Sequence, residues 1–183
     1  TAAYLKSPGR DEVFAASLIR LLRACPRQEK WPMILGAMKD PSPLVRSAAA
    51  ETLADLPSGK ARQALVRAAA DDYRLVRVRA AAALAGFPRA AIGEGDRKSV
   101  DRALQEYIDS LTIRPDHWTS NYNLGNYYLN AGLPKEAVAA YGAAAKLDPR
   151  TPVPRVNLTM AYARLGGRQS AQQSLRTPQK LDP

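Results

Sequence analysis

The chain repeats itself at a fixed interval, and that constrains its fold more than any other feature. The segment DPSPLVRSAAAETLADLP (40–57) returns as DDYRLVRVRAAAALAGFP (71–88), with every matched position displaced by the same step. Asp40 matches Asp71, Leu44 matches Leu75, Val45 matches Val76 and Arg46 matches Arg77, followed by Ala49 with Ala80, Leu53 with Leu84 and Pro57 with Pro88. One step back, VFAASLIRLLRACP (13–26) is a degenerate first copy, with Val13, Leu22 and Pro26 in register. The stretches between also align, WPMILGAMKD (31–40) with RQALVRAAAD (62–71). A recurrence of this length describes one supersecondary unit that cannot bury its apolar face alone and must stack on its neighbours.

Each unit holds two short helices, with a proline closing the second. Leu44, Val45, Ala48, Ala49 and Leu53 fall on one face at helical spacing and are the expected core of the inner helix. Apolar residues make up 46% of the chain and many are alanine, which favours closely approaching helices. The pattern D-x-x-x-L-V-R-x-x-A-A-x-x-L-A-x-x-P resembles the HEAT family, in its short variant.

A second interval begins near Ser99. The line SNYNLGNYYLNAGLPKEAVAAYGAAAKLDP (120–149) resembles a tetratricopeptide repeat, whose period is 34. With the unit starting at Trp118, Leu124, Gly125, Tyr128, Ala137, Tyr141, Ala144 and Pro149 fall on the family's positions. One departure is Asn121, where the family usually has a large apolar residue. Leu158, Tyr162, Gly166, Ala171, Leu175 and Pro183 recur one period on, with Thr159 and Pro178 breaking the pattern. DRALQEYIDSLTIRP (101–115) matches a second helix one step back. The expected fold is all-α: an α-solenoid of about ten antiparallel helices in a right-handed superhelix, HEAT-like and then tetratricopeptide. The expected domains are a HEAT-like block at 1–88, a linker at 89–98 rich in Pro, Gly and charge, and a tetratricopeptide block of about two and a half repeats at 99–183.

The resemblances carry site expectations. In HEAT proteins an aspartate and an arginine in this relation form a ladder between units, which implies that role for Asp40 with Arg46 and for Asp71 with Arg77. The first copy has Gly9 and Ala15 at these positions and is expected to lack the rung. Arg74 and Arg79 have no counterparts. Arg79 aligns with Ala48, so it lies at a boundary with the second block, reaches out to solvent, or joins Arg74, Arg62 and Arg67 in a basic surface. In tetratricopeptide proteins the first helix of each unit lines a groove. This implies partner-binding positions at Tyr122, Asn123, Asn126, Asn130, Asn157 and Arg164. Asn126 and Asn157 match asparagines that bind a peptide backbone in that family. Tyr122 stands where a carboxylate-clamp lysine would be, so capture of an acidic C-terminus is not expected.

Chemistry is sparse. Cys25 and His117 are the single cysteine and histidine, so no internal disulfide and no CxxCH haem site can form. Cys25 reads as a small core residue and His117 as an exposed or capping one. Gly93–Asp96 lacks the ligand spacing of a calcium loop and reads as solvated linker. No catalytic set, no metal site and no cofactor is expected, and no segment has the roughly 18 apolar residues of a membrane helix. The formal charge of +10 is spread over both halves, without a basic stripe or stacking aromatics, which weighs against nucleic acid.

The expected function is therefore a protein–protein interaction or scaffold module binding a peptide or protein surface, within a larger chain. Two alternatives stay open. One is a structural spacer or accessory region, since ASLIRLL, EKWPMILGAMKDPSPLVR and NYNLGNYYL resemble the C-terminal region of bacterial multihaem c-type cytochromes, which are exported to the periplasm. Another domain of the parent chain would then be the partner; without that resemblance a cytoplasmic location is expected. The other alternative is a basic nucleic-acid binder of the HEAT type. Oligomeric state is not encoded in the pattern.

Overall fold

The computed structural model describes residues 2–5, 7–87 and 89–167. Pro88 and the final part of the expected tetratricopeptide block, with Ala171, Leu175, Pro178 and Pro183, lie outside the described residues. Among those described there are ten α-helices and no strand. They are α1 (Ala2–Leu5), α2 (Glu12–Leu21), α3 (Lys30–Ala37), α4 (Pro43–Leu53), α5 (Gly59–Ala68), α6 (Arg74–Leu84), α7 (Arg97–Thr112), α8 (Trp118–Asn130), α9 (Pro134–Leu147) and α10 (Val153–Arg164). The protein is all-α among its described residues, and its first unit is an α-solenoid of stacked helices. It divides into two compact units, Thr1–Tyr107 and Ile108–Pro183, and the division falls inside α7, beyond the 89–98 segment.

In the first unit α2, α4 and α6 stack in succession as inner helices, while α3 packs on α4 and α5 on α6. Alanine makes this stacking possible. Ala48, Ala49 and Ala50 of α4, and Ala80 and Ala81 of α6, are fully buried, with Val45, Leu53 and Val76 beside them. Leu44 departs from expectation. It is half-exposed, and its repeat mate Leu75 is 42% exposed. The apolar stripe of the inner helix is narrower than the sequence pattern suggests, and Ser47 and Thr52 complete the buried face. Each returns its hydroxyl proton to its own helix, Ser47 to the Leu44 carbonyl and Thr52 to the Ala48 carbonyl, both at 2.8 Å. Buried hydroxyls are thereby satisfied.

The turns have local causes. The Asp11 carboxylate accepts from the Phe14 N–H at 2.7 Å and caps α2. The Ser58 hydroxyl does the same for α5 from Ala61, and Pro43 opens α4 where its missing N–H costs nothing. Lys30 is nearly buried. Its ammonium donates to the carbonyls of Arg23 and Cys25, at 3.0 and 2.6 Å, and lies 4.5 Å from the Trp31 ring centre. A cation thus closes the negative end of the segment following α2. Cys25 itself is half-exposed in an extended turn, not a core residue. The 89–98 segment forms two single 3-10 turns and buries Ile92.

In the second unit α8 packs on α9 and α9 on α10. Gly132 and Gly166 take φ of 75° and 76°, the left-handed conformation that ends a helix. The Leu133 N–H returns to the Tyr128 carbonyl at 2.9 Å, and the Gly167 N–H to the Tyr162 carbonyl at 3.0 Å. Tyr141 is fully buried and fills the space left by Gly125: a Cβ at that glycine would stand 2.5 Å from the tyrosine ring. Leu129, Ala137, Tyr141 and Ala161 form the core, flanked by Tyr122, Tyr128, Val138 and Leu158. Replacing Gly125 by Ala forces α8 and α9 apart. The expected cost is about 1–3 kcal/mol of overpacking, seen as a lower urea midpoint of the second unit's transition. An unchanged midpoint would show that the ring yields freely.

Candidate functional site

Two groups of polar side chains stand out, one in each unit. The first runs along the turns that precede the inner helices. Arg46 leaves α4 and divides its guanidinium. Nη1 donates to the carbonyls of Asp40 and Pro41 at 2.8 and 3.0 Å, within its own unit. Nε and Nη2 donate to the two carboxylate oxygens of Asp71 in the next unit, at 2.8 and 2.9 Å. Arg77 does the same one repeat later. Its Nη1 donates to the carbonyls of Asp71 and Asp72, and Nε and Nη2 reach the carboxylate of Glu106 on α7 at 2.9 Å. Asp40 and Asp71 also accept the N–H two residues on, from Ser42 and Tyr73, a turn that aspartate favours. The four residues Asp40, Arg46, Asp71 and Arg77 are thus brought together in one chain of bonds.

The start of that chain differs from expectation. Gly9 and Ala15 supply nothing, but Arg10 does: its guanidinium pairs with the Asp40 carboxylate and donates to the Leu5 carbonyl at 2.8 Å. The first copy has its rung, delivered from the loop before α2 rather than from within the helix. Period matching misses it because Arg10 is out of register; the unmatched Asp40 carboxylate was the available signal. Arg79, exposed, points toward Glu51 at 3.9 Å, and Arg74 donates to the Glu106 carbonyl at 3.5 Å. A second row of pairs, Arg20 with Glu51 and Arg23 with Asp55, lies on more exposed surface.

The electrostatics follow. Burial pushes the Asp71 carboxyl up, but the Arg46 hydrogen bonds, the Tyr73 N–H and the charges of Arg46 and Arg77 outweigh it and hold it below the ordinary carboxylate range. Asp71 is ionised in the fold at every moderate pH. Both partners of the rung are only 13–15% exposed, so removing one leaves an uncompensated charge. Arg46 also lies over the Tyr73 ring, 5.6 Å from its centre.

The second group belongs to α8, α9 and α10. The Asn126 side-chain oxygen accepts from the Tyr141 hydroxyl at 2.7 Å and from the Asn157 amide at 3.1 Å. Asn157 also donates to the Tyr122 oxygen at 3.2 Å. Four residues from three helices therefore fix one another. The Tyr141 phenol is pushed up to about 12, chiefly by burial. Arg164 donates to the Leu129 carbonyl at 2.8 Å near the C-terminal end of α8, where a cation is favoured. Of the six expected positions, Tyr122, Asn126 and Asn157 meet in one network. Arg164 is tied separately, Asn123 is half-exposed, and Asn130 is exposed. Asn121 uses its amide to hold the loop before α8, donating to the carbonyls of Pro115 and His117 at 2.8 and 3.2 Å. His117 is exposed and pairs with the Thr119 hydroxyl. Among the described residues no group of three His, Cys, Asp or Glu side chains is arranged to hold a metal ion, and no helix is long and apolar enough to cross a membrane.

The ladder makes acid sensitivity predictable. An aspartate whose pKa is lowered by folding stabilises fully above its unfolded value of about 3.9 and loses that contribution as pH falls through its folded value. The urea midpoint of the first unit should therefore drop as pH falls from about 5 to about 2, and Asp71→Asn should start lower and show a flatter acid limb. Glu51→Gln, on the exposed row, should leave the limb unchanged. Equal acid limbs in wild type and Asp71→Asn would refute the assignment. Arg46→Ala should cost about 3 kcal/mol, in the range for breaking a largely buried pair.

Comparison with known proteins agrees with the geometry of the first unit. No curated protein sequence matches the chain. Residues 3–85 match the model of a family described as HEAT repeats, and this part of the chain is built of HEAT-like repeats.

Proposed function

We propose that the chain is a protein-interaction module of bacterial type. In this reading α8, α9 and α10 form a tetratricopeptide arrangement that binds an extended peptide segment of a partner along α8 and α10. The observation that carries the reading is the face of α10. Asn157 is locked to α8, while Val153, Val156 and Met160, at helical spacing on the same face, remain 44–50% exposed. An apolar stripe beside rigid amides suits a peptide, whose side chains meet the stripe and whose backbone meets the amides. The Asn126 amide nitrogen makes no hydrogen bond among the described residues and is available as a donor. Because Tyr141 and Asn157 hold Asn126 in place beforehand, little side-chain freedom is lost on binding.

A spacer role is the second reading. It is favoured by the extent to which Asn126 and Asn157 already satisfy each other. The resemblance to the accessory region of exported multihaem cytochromes makes another domain of the parent chain the first partner to try. The nucleic-acid reading loses weight, since Arg10, Arg20, Arg23, Arg46 and Arg77 are all engaged with carboxylates.

An array of random 12-residue peptides tests the proposal. Asn126→Ala should weaken retained peptides by about 2–10-fold, the worth of one hydrogen bond. Val156→Glu with Met160→Glu, on exposed positions, should abolish retention without changing the melting temperature. Retention that survives the double substitution would remove α10 from the site. An array that retains nothing would favour the spacer.

A further inference from the structure

A groove of about 560 Å³ in the first unit lies between the C-terminal half of α3 and one face of α5. Leu35 of α3 and Met38 at its C-terminal cap, with Ala64 and Ala68 from α5, give it an apolar floor. Lys39, Lys60 and Arg67 stand at its edges. All three are exposed, and none makes an ion pair or side-chain hydrogen bond among the described residues. That sets them apart from Arg10, Arg46 and Arg77 of the ladder. The acid at the groove's end, Asp71, already carries two hydrogen bonds from Arg46. The groove therefore presents unbalanced positive charge around apolar surface.

Stacking of the repeats does not account for these cations. One repeat away, Lys39 aligns with Ala70, Lys60 with Glu29 and Arg67 with Gly36. The repeat tolerates a small, an acidic and a missing side chain at the same places. The spacing along α5 is regular, however. Lys60, Gln63, Ala64 and Arg67 share one face, and Lys60 and Arg67 stand two turns apart, about 10.5 Å along the helix.

We propose that this groove docks an acidic segment of a protein partner in which an aliphatic side chain lies between carboxylates. In an extended segment, residues i, i+2 and i+4 share a face and span about 13 Å. Two carboxylates at the ends meet Lys60 and Arg67, whose side chains are long enough to absorb the difference, and the middle side chain rests on Leu35 and Met38. Lys39 adds a third cation from the turn that follows α3. A nucleic-acid backbone fits less well: it offers nothing to the apolar floor, and no aromatic platform lines the groove for a base. This surface lies wholly in the first unit and does not depend on the peptide site proposed for α8 and α10.

The test is fluorescence anisotropy with the full chain and a labelled peptide, Glu-Ser-Leu-Ser-Glu-Ser-Leu-Ser-Glu. Lys60→Glu with Arg67→Glu should weaken binding at least tenfold. Lys135→Glu with Lys146→Glu, the same change in net charge on exposed residues of the second unit, should weaken it less than twofold. A peptide with serine in place of both leucines should bind severalfold more weakly. The proposal is overturned if the peptide does not bind at 50 mM salt, if the two double variants lose binding equally, or if the leucines make no difference. It is equally overturned if a single-stranded DNA of matched charge binds more tightly through Lys60 and Arg67 than the peptide does.

Discussion

The guanidinium of Arg46 is the joint on which the first unit depends. One edge grips the carbonyls of Asp40 and Pro41, at the turn entering its own helix, and the other edge grips the Asp71 carboxylate at the same turn of the next unit. Apolar stacking alone is non-directional and would let alanine-rich helices slide. A planar fork with fixed donor geometry sets the offset between successive units. The bond also settles why a protein of charge +10 carries arginines amid its most apolar stretches: at Arg46 and Arg77 they hold neighbouring units in register.

The second unit solves the same problem without ions. A missing side chain at Gly125 admits the ring of Tyr141, and the phenol then extends past it to Asn126. Shape fixes the distance between α8 and α9. The hydroxyl fixes the register with α10 through Asn157. In one unit specificity comes from charge at the turns, and in the other from a buried aromatic with a polar tip.

The period of the first unit was legible in the sequence because it is written in residues with narrow physical options. Proline ends helices, glycine takes positive φ, and alanine permits close approach. Asp40, Arg46, Asp71 and Arg77 could be picked out for the same reason, since recurrence singled them out from the other charges. Four features were not legible. Leu44 looked like core because its spacing is helical, yet spacing does not say how wide the buried stripe is. Cys25 looked buried by composition, yet it sits in the turn that Lys30 closes. The bonds among Tyr122, Asn126, Tyr141 and Asn157 cross three helices, and no single-helix pattern encodes which asparagine atoms remain for a ligand. Lys39 and Lys60 escaped notice because they follow no repeat, although that irregularity is itself the signal, and Arg67 stood out only as a member of a basic surface with Arg62.

Arg10 has a consequence for how such an array drifts over generations. Its rung arrives from a loop, so the bond to Asp40 is made by a residue outside the periodic frame. A selection pressure that acts on the contact, rather than on the column of an alignment, lets a unit lose its sequence signature without losing its mechanical coupling. Counting units by recurrence will then understate the length of the cooperative array. Substitutions that compensate one another will pair Arg10 with Asp40 across 30 residues, a longer step along the chain than the 25 from Arg46 to Asp71.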